Sequence, residues 1–356
     1  MNSSSSTNPF VAAGMIQDSK LFVGRQGEIN AIVSRMEGAQ PTSINVVGEK
    51  RIGKSSLLYH FFRTWEQRVR DASLYVVVYL SLQSVHCQRE NDFYEAVAKE
   101  LLSRSTVKTK QTVCDLLQRR PIERRVFSEA IKECKHQGIL PVLCLDDFKE
   151  LFERKSEFND DFYDNLRSLM DNSSLMLVIA TTNGLDFYAK KHQLTSSFFN
   201  LGHLLRLGEL TEDEARDLVR LPASTVSGAD VALGMDEQKL TRELGGNHPF
   251  LLQLAGSLVW EARQQGKDKN WMKTRFAEES KRVPGNQRRW LRRGRFIRDM
   301  VSGIGAFSQW LAQAWNDAKD LILGIVILVI IILAIFGVLN PEKVKEFLGY
   351  LLNLTK

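Results

Sequence analysis

One short stretch constrains the fold of this 356-residue chain more than any other: Gly48-Glu49-Lys50-Arg51-Ile52-Gly53-Lys54-Ser55, which follows the pattern G-x-x-x-x-G-K-[ST]. The pattern carries meaning only where a strand runs into it and a helix leaves it. Ser43–Val47 (SINVV) precedes it as an apolar run of strand type. Ser56 and the LLYHFF segment behind it read as the first turns of a helix. In such a junction the backbone wraps around an anion with dihedrals that favour glycine. Successive amides point inward, and the helix presents its positive end to the same anion. Residues 48–56 are therefore the expected phosphate cradle, with Lys54 bridging the β- and γ-phosphates and Ser55 ligating Mg²⁺.

A phosphate cradle of this kind needs a partner carboxylate at the end of a neighbouring strand. Ile139–Leu145 is apolar and runs into Asp146 and Asp147, at the carboxyl edge where parallel sheets bind ligands. Asp146 is the expected metal-side residue, and Asp147 the group that orients or deprotonates an attacking water. A further apolar strand, Leu175–Ala180, ends in Thr181, Thr182 and Asn183. Thr182 or Asn183 could touch the γ-phosphate or its water, although Thr and Asn at a strand end are commonly turn formers.

Apolar runs alternate with helical patterns from Leu21 to about Leu210, which predicts an α/β fold: a parallel sheet with flanking helices. Strands are expected at Ser43–Val47, Leu74–Leu82, Leu140–Leu145, Leu175–Ala180 and about Leu204–Leu207. Helices are expected at Gln26–Met36, Lys54–Trp65, Asn91–Ser103, Glu123–Gln137 and Asp161–Asp171. Strand Leu74–Leu82 falls between the glycine loop and the acidic strand in sequence, as in the additional-strand class of P-loop ATPases. No guanine-reading Asn-Lys-x-Asp element is present, which favours ATP over GTP. A smaller helical lid begins at Thr211, where Thr211 and Glu214 form a capping box. Its helices are expected near Thr211–Arg220, Asp236–Leu244 and Pro249–Arg263.

With these motifs in place the chain resembles the STAND-type branch of AAA-like P-loop NTPases, close to the archaeal-ATPase group, from about Asn8 to Ala262. Phe22-Val-Gly24-Arg25-Gln-Gly-Glu28 is similar to the family's opening h-h-G-R-x-x-E element, and Leu145-Asp-Asp-Phe148 to its acidic strand end. Gly245-Gly-Asn-His-Pro249 is similar to its lid motif G-x-P. The resemblance implies that Arg25 contacts nucleotide and that Pro249 packs near the adenine. It also implies a glutamate where Asp147 stands. A side chain one methylene shorter predicts slow hydrolysis.

The other feature with a single reading is Leu321–Leu339, which contains no charged or polar side chain. At 1.5 Å per residue its length is about 28 Å as a helix, near the hydrocarbon thickness of a bilayer. On insertion scales it gains roughly 5–10 kcal/mol. Lys281–Arg298 carries eight basic residues and no acidic one, more than the whole net charge of +6, so the rest of the chain is slightly acidic. That distribution argues against a nucleic-acid-coating surface overall and places a basic patch beside the apolar run. By charge bias the ATPase part is expected in the cytoplasm, with a C-terminal transmembrane helix and the tail outside. Cys87, Cys114, Cys134 and Cys144 have no zinc spacing and read as reduced cytosolic thiols.

The expected organisation is a flexible segment at 1–20, the ATPase core at 21–210, the lid at 211–265, a basic and amphipathic juxtamembrane segment at 266–320, the membrane helix at 321–339 and a short amphipathic tail at 340–356. The functional expectation is a membrane-anchored ATP-binding protein. It would be a slow Mg²⁺-dependent ATPase that works as a nucleotide-dependent oligomerisation switch in a defence or stress response. It is expected to form homo-oligomers, to meet lipid through Lys281–Arg298 and Leu321–Leu339, and to answer an unidentified protein or nucleic-acid trigger. The alternative is a membrane-tethered scaffold or nucleic-acid-handling ATPase whose helix only localises it.

Overall fold

The computed structural model describes residues 7–84, 87–200, 202–223, 230–281 and 283. The apolar run Leu321–Leu339 and nearly all of the basic Lys281–Arg298 stretch lie outside the described residues. Among those described, no helix is long and apolar enough to cross a membrane.

Five parallel strands form one sheet: β1 (Ile44–Val47), β2 (Tyr75–Ser81), β3 (Leu140–Asp146), β4 (Met176–Thr181) and β5 (His203–Arg206). Helices α1 (Gln26–Met36) and α2 (Lys54–Thr64) flank β1. Between β2 and β3 lie α3 (Glu90–Ser103), α4 (Ser105–Lys108), α5 (Gln111–Leu117) and α6 (Arg124–His136). Next come α7 (Lys149–Phe152) and α8 (Asp160–Asp171), and α9 (Leu185–His192) follows β4. The lid is built from α10 (Glu212–Leu218), α11 (Met235–Gly245), α12 (Pro249–Gln265) and α13 (Lys269–Ser280).

The sheet order is β2-β3-β4-β1-β5. Thus β4 is the strand inserted between the glycine-loop strand and the acidic strand, while β2 lies at the sheet's edge. The pairing register aligns Val47 with Thr181 and with Arg206, and Ser81 with Asp146. The carboxyl ends of β1, β3 and β4 therefore open on one edge of the sheet. Both faces are covered. Leu143, Leu145, Leu177 and Ile179 pack into one core with the α3, α6 and α8 side chains. Ile44, Val46, Val142, Cys144, Met176 and Val178 pack into the other with those of α1 and α2. This two-sided burial is why the strands read as unbroken apolar runs. The four cysteines are buried and unbridged.

Two parts of the fold differ from the sequence-based expectation. Residues 8–16, within the segment expected to be flexible, are tethered to the lid and to α2. The Asn8 side-chain amide donates to Ser257 Oγ (2.9 Å), Val11 N–H to Gln253 Oε1 (2.8 Å) and Ile16 N–H to Ser56 Oγ (3.0 Å). Phe10 is buried where Gly256 leaves the surface of α12 bare. The helical part also runs past residue 265, because α13 buries Met272 and Phe276.

Candidate functional site

Gly53 sits at the N-cap of α2 with φ +100°, a conformation only glycine adopts without strain. Gly48 is confined differently. A Cβ there would lie 2.8 Å from both the Leu207 carbonyl oxygen and an Ile52 methyl. Lys54 opens α2, and its Nζ donates to the carbonyls of Gly48 (2.8 Å) and Glu49 (2.9 Å), which holds the ammonium over the loop. Burial pulls the Lys54 pKa below the usual lysine value, against the opposing charges of Asp146 and Asp147.

Asp146 ends β3, is buried, and uses both carboxylate oxygens. Oδ1 accepts the Asp147 N–H at 3.0 Å, and Oδ2 accepts the Tyr79 hydroxyl at 3.0 Å. Asp147 has φ +52°, an uncommon left-handed turn immediately after the strand. Burial, then the charge of Asp146, raises its pKa above the ordinary carboxylate value.

These groups share a cleft of 610 Å³. Its polar lining includes Gly53, Lys54, Ser55, Ser56, Asp146 and Asp147, and its apolar lining includes Val11, Leu210, Leu218, Pro249 and Leu254. Arg51, with φ +67°, reaches across to the lid, its guanidinium 4.2 Å from the centre of the Phe250 ring. Of the expected site residues, Arg25, Arg51, Ile52, Gly53, Lys54, Ser55, Ser56, Asp146, Asp147 and Pro249 all line this cleft, whereas Gly48, Glu49, Lys50 and Thr182 are not part of its lining. At the end of β4 it is Thr181 that is fixed, its hydroxyl bonded to Asn45 Oδ1 (2.8 Å) and the Asn183 carbonyl (2.6 Å).

Arg25 borders the cleft, but its guanidinium is committed to the protein. Nη1 pairs with Glu28 (3.0 Å), and Nη2 donates to the carbonyls of Gly208 (2.6 Å) and Ile52 (3.4 Å). Its own N–H donates to Glu214, whose side chain packs so closely on Gly24 that a Cβ there would sit at 2.7 Å. The Gly24–Arg25 pair is thus a clasp joining the glycine loop to the start of the lid. Arg25 ties the loop to the lid junction from a place in the cleft lining, where the resemblance implied that it contacts nucleotide.

Sequence reasoning did not find Tyr79, Gln253 or the 11–16 strap, all of which line the cleft. Tyr79 lies in a strand that was expected, but only the β2–β3 register brings its hydroxyl to Asp146. The donor set fits a hard divalent cation: one carboxylate and one hydroxyl, Asp146 and Ser55, beside a phosphate cradle. Among the described residues no group of three His, Cys, Asp or Glu forms a self-sufficient metal site, so any such ion would depend on phosphate oxygens.

The model of the family described as Novel STAND NTPase 1 matches residues 12–276. Among solved structures, the chain is similar to the Walker-type ATPase of Pyrococcus abyssi, at 16% identity and TM-score 0.53, over 79% of this chain and 78% of that one. It is also similar to the ORC2 protein of Aeropyrum pernix, solved as ADPNP–ADP complexes, at 14% identity and TM-score 0.51, over 96% of this chain and 90% of that one. At these identities the likeness is one of fold. A comparison with curated proteins finds no match.

Proposed function

The chain belongs to the novel STAND NTPase 1 family, and from that premise we propose that it is a membrane-anchored, ATP-binding switch with slow Mg²⁺-dependent ATPase activity. The observation that carries the nucleotide reading is the single cleft in which Gly53–Ser56, Asp146, Asp147 and Pro249 meet. Its shape and chemistry suit a nucleoside triphosphate, with an apolar slot for the base and a glycine-and-lysine cradle for the phosphates.

Lys54 places its ammonium against the β- and γ-phosphate charge, and the N-terminus of α2 adds its dipole. Ser55 and Asp146 would hold Mg²⁺, which neutralises charge that builds on the phosphates. Asp147 orients the attacking water and accepts its proton. Its raised pKa makes it a stronger base than an exposed carboxylate. Its short side chain limits how close it comes, which supports slow turnover and a switch whose bound state persists.

Membrane attachment rests on the sequence of Leu321–Leu339 and on the basic stretch before it, and this orientation leaves the nucleotide site in the cytoplasm. Oligomerisation would then gather the apolar helices. The test is the mass of the full chain in detergent with Mg·ATP, with ADP and without nucleotide. The proposal expects a larger assembly with ATP than in the other two conditions, and no such growth in Lys54→Ala. One mass in all three conditions would leave the protein a tethered nucleotide-binding scaffold.

A further inference from the structure

Arg51 stands in the turn of the glycine loop, two residues before Gly53, and its backbone is left-handed at φ +67°. Few residues other than glycine adopt that conformation, and it persists where the surrounding structure uses it. Its guanidinium lies 4.2 Å from the centre of the Phe250 ring. Phe250 is the second residue of α12, so this contact joins the loop to the lid. Both residues line the cleft, and both keep part of their surface open to water. Among the described residues the Arg51 guanidinium has no carboxylate partner, whereas that of Arg25 is paired with Glu28 at 3.0 Å. Arg51 is thus a cation without a counter-charge, held on an aromatic face in the cleft that contains the phosphate cradle.

Magnitudes decide which partner such a group keeps. A guanidinium on a partly exposed aromatic face gains about two- to fivefold in an equilibrium constant. A charge-assisted bond from a guanidinium to a phosphate gains about ten- to a hundredfold. The phosphate is therefore the stronger partner. We propose that Arg51 has two alternative partners, the Phe250 ring and a phosphate group of the bound nucleotide, and that a triphosphate in the cradle draws its guanidinium off the lid. The inference rests on the nucleotide reading of the cleft and adds its regulation, since phosphate charge in the core loosens one tie between the core and α12. The linkage runs both ways. The ring lowers the affinity for phosphate, because binding must first break the contact between Arg51 and Phe250.

The experiment measures the affinity of magnesium-loaded inorganic triphosphate for the full chain in detergent. This probe carries the phosphate charge without a base, so changes at Phe250 cannot act through base stacking. Phe250→Leu removes the competing ring and should bind the probe about two- to fivefold more tightly than the wild type. Phe250→Met, which has a long apolar side chain but no aromatic face, should show the same gain and guards against a packing fault in the leucine variant. Phe250→Tyr keeps the ring and should match the wild type. Arg51→Gln should bind about tenfold more weakly, and adding Phe250→Leu to it should bring no gain. Unchanged or weaker binding in both Phe250→Leu and Phe250→Met would overturn the proposal. So would a gain that persists without Arg51, or wild-type affinity in Arg51→Gln. Lys54→Ala separates this from the underlying reading. If it abolishes binding of the probe while the Phe250 variants are flat, only the role of Arg51 fails. If it binds the probe as the wild type does, the assignment of the cleft itself fails.

Discussion

Gly256→Ala should destabilise this protein even though the same change stabilises an ordinary helix. Gly256 lies in the interior of α12, where glycine costs about 0.5–1 kcal/mol relative to alanine. Propensity alone therefore predicts a gain. A Cβ at this position would, however, stand 2.4, 2.6 and 2.7 Å from Phe10 Cδ1, Cε1 and Cγ. Favourable carbon contacts lie near 3.5–4.0 Å, so the ring must retreat by about 1 Å or leave its site. Phe10 is 5% exposed, and expelling it forfeits roughly 1.5–3 kcal/mol of burial. The net expectation is a loss of about 1–2 kcal/mol. In a Phe10→Ala background the obstacle is gone, and Gly256→Ala should become stabilising by about 0.5–1 kcal/mol. Equilibrium urea unfolding of the four proteins in one detergent reads this change of sign directly. If Gly256→Ala stabilises the wild-type chain, or costs the same with and without Phe10, the strap is not seated on α12 as described.

Three further outcomes follow from the site and its supports. His60 is buried against Phe22 at 4.1 Å between ring centres, and Arg68 donates toward its Nε2, so it sits neutral with its proton on Nδ1. Burial, with the Arg68 charge adding, lowers its pKa from 6.5 to about 4. The unfolded chain then takes up the proton first, so this contribution is complete above pH 6.5 and is lost as pH falls toward 4. Denaturation curves should show a decline of about 2–3 kcal/mol over that window, flattened in His60→Gln. Tyr79→Phe removes the donor to Asp146 Oδ2. It should raise the Mg²⁺ concentration for half-maximal ATP binding by about three- to tenfold, while metal-free nucleotide affinity holds; an unchanged Mg²⁺ requirement would show that the bond does not orient Asp146. Asp147→Asn should keep nucleotide and stop phosphate release in a steady-state assay, whereas Asp146→Asn should also shift the Mg²⁺ requirement. Normal turnover in Asp147→Asn would assign the water-positioning role to another residue.

The inner strands β1, β3 and β4 were legible because each is buried along its whole length and therefore carries an apolar run. The expected Leu140–Leu145 and Leu175–Ala180 became Leu140–Asp146 and Met176–Thr181. The glycine loop was legible because its backbone demands are local, as at Gly53. Sheet order was not fully legible. Sequence order sets β2 between the two motif strands, whereas the strand that separates them in space is β4. The strap escaped a local reading for a related reason. Its partners Gln253 and Ser257 lie more than 240 positions away, and a short polar lead-in gives no periodic signal. Helix α13 buries only Met272, Phe276 and Ser280, too few apolar side chains to mark a face. Arg25 shows what a motif leaves out. Its residue type and its place in the cleft lining match the resemblance, while its bonds to carbonyls of the glycine loop and the lid junction depend on tertiary contacts the motif does not state. Leu321–Leu339 lies outside the described residues, so its reading still rests on hydropathy.

The most direct test of the account is calorimetric titration of Mg·ATP into the full-length chain and into Lys54→Ala. Of the loop's two lysines only Lys54 is part of the cleft lining, with Ser55 and Asp146. The account predicts one saturable site in the wild type and no detectable binding in the variant. Equal affinity in the two proteins, or no binding by the wild type, would contradict it.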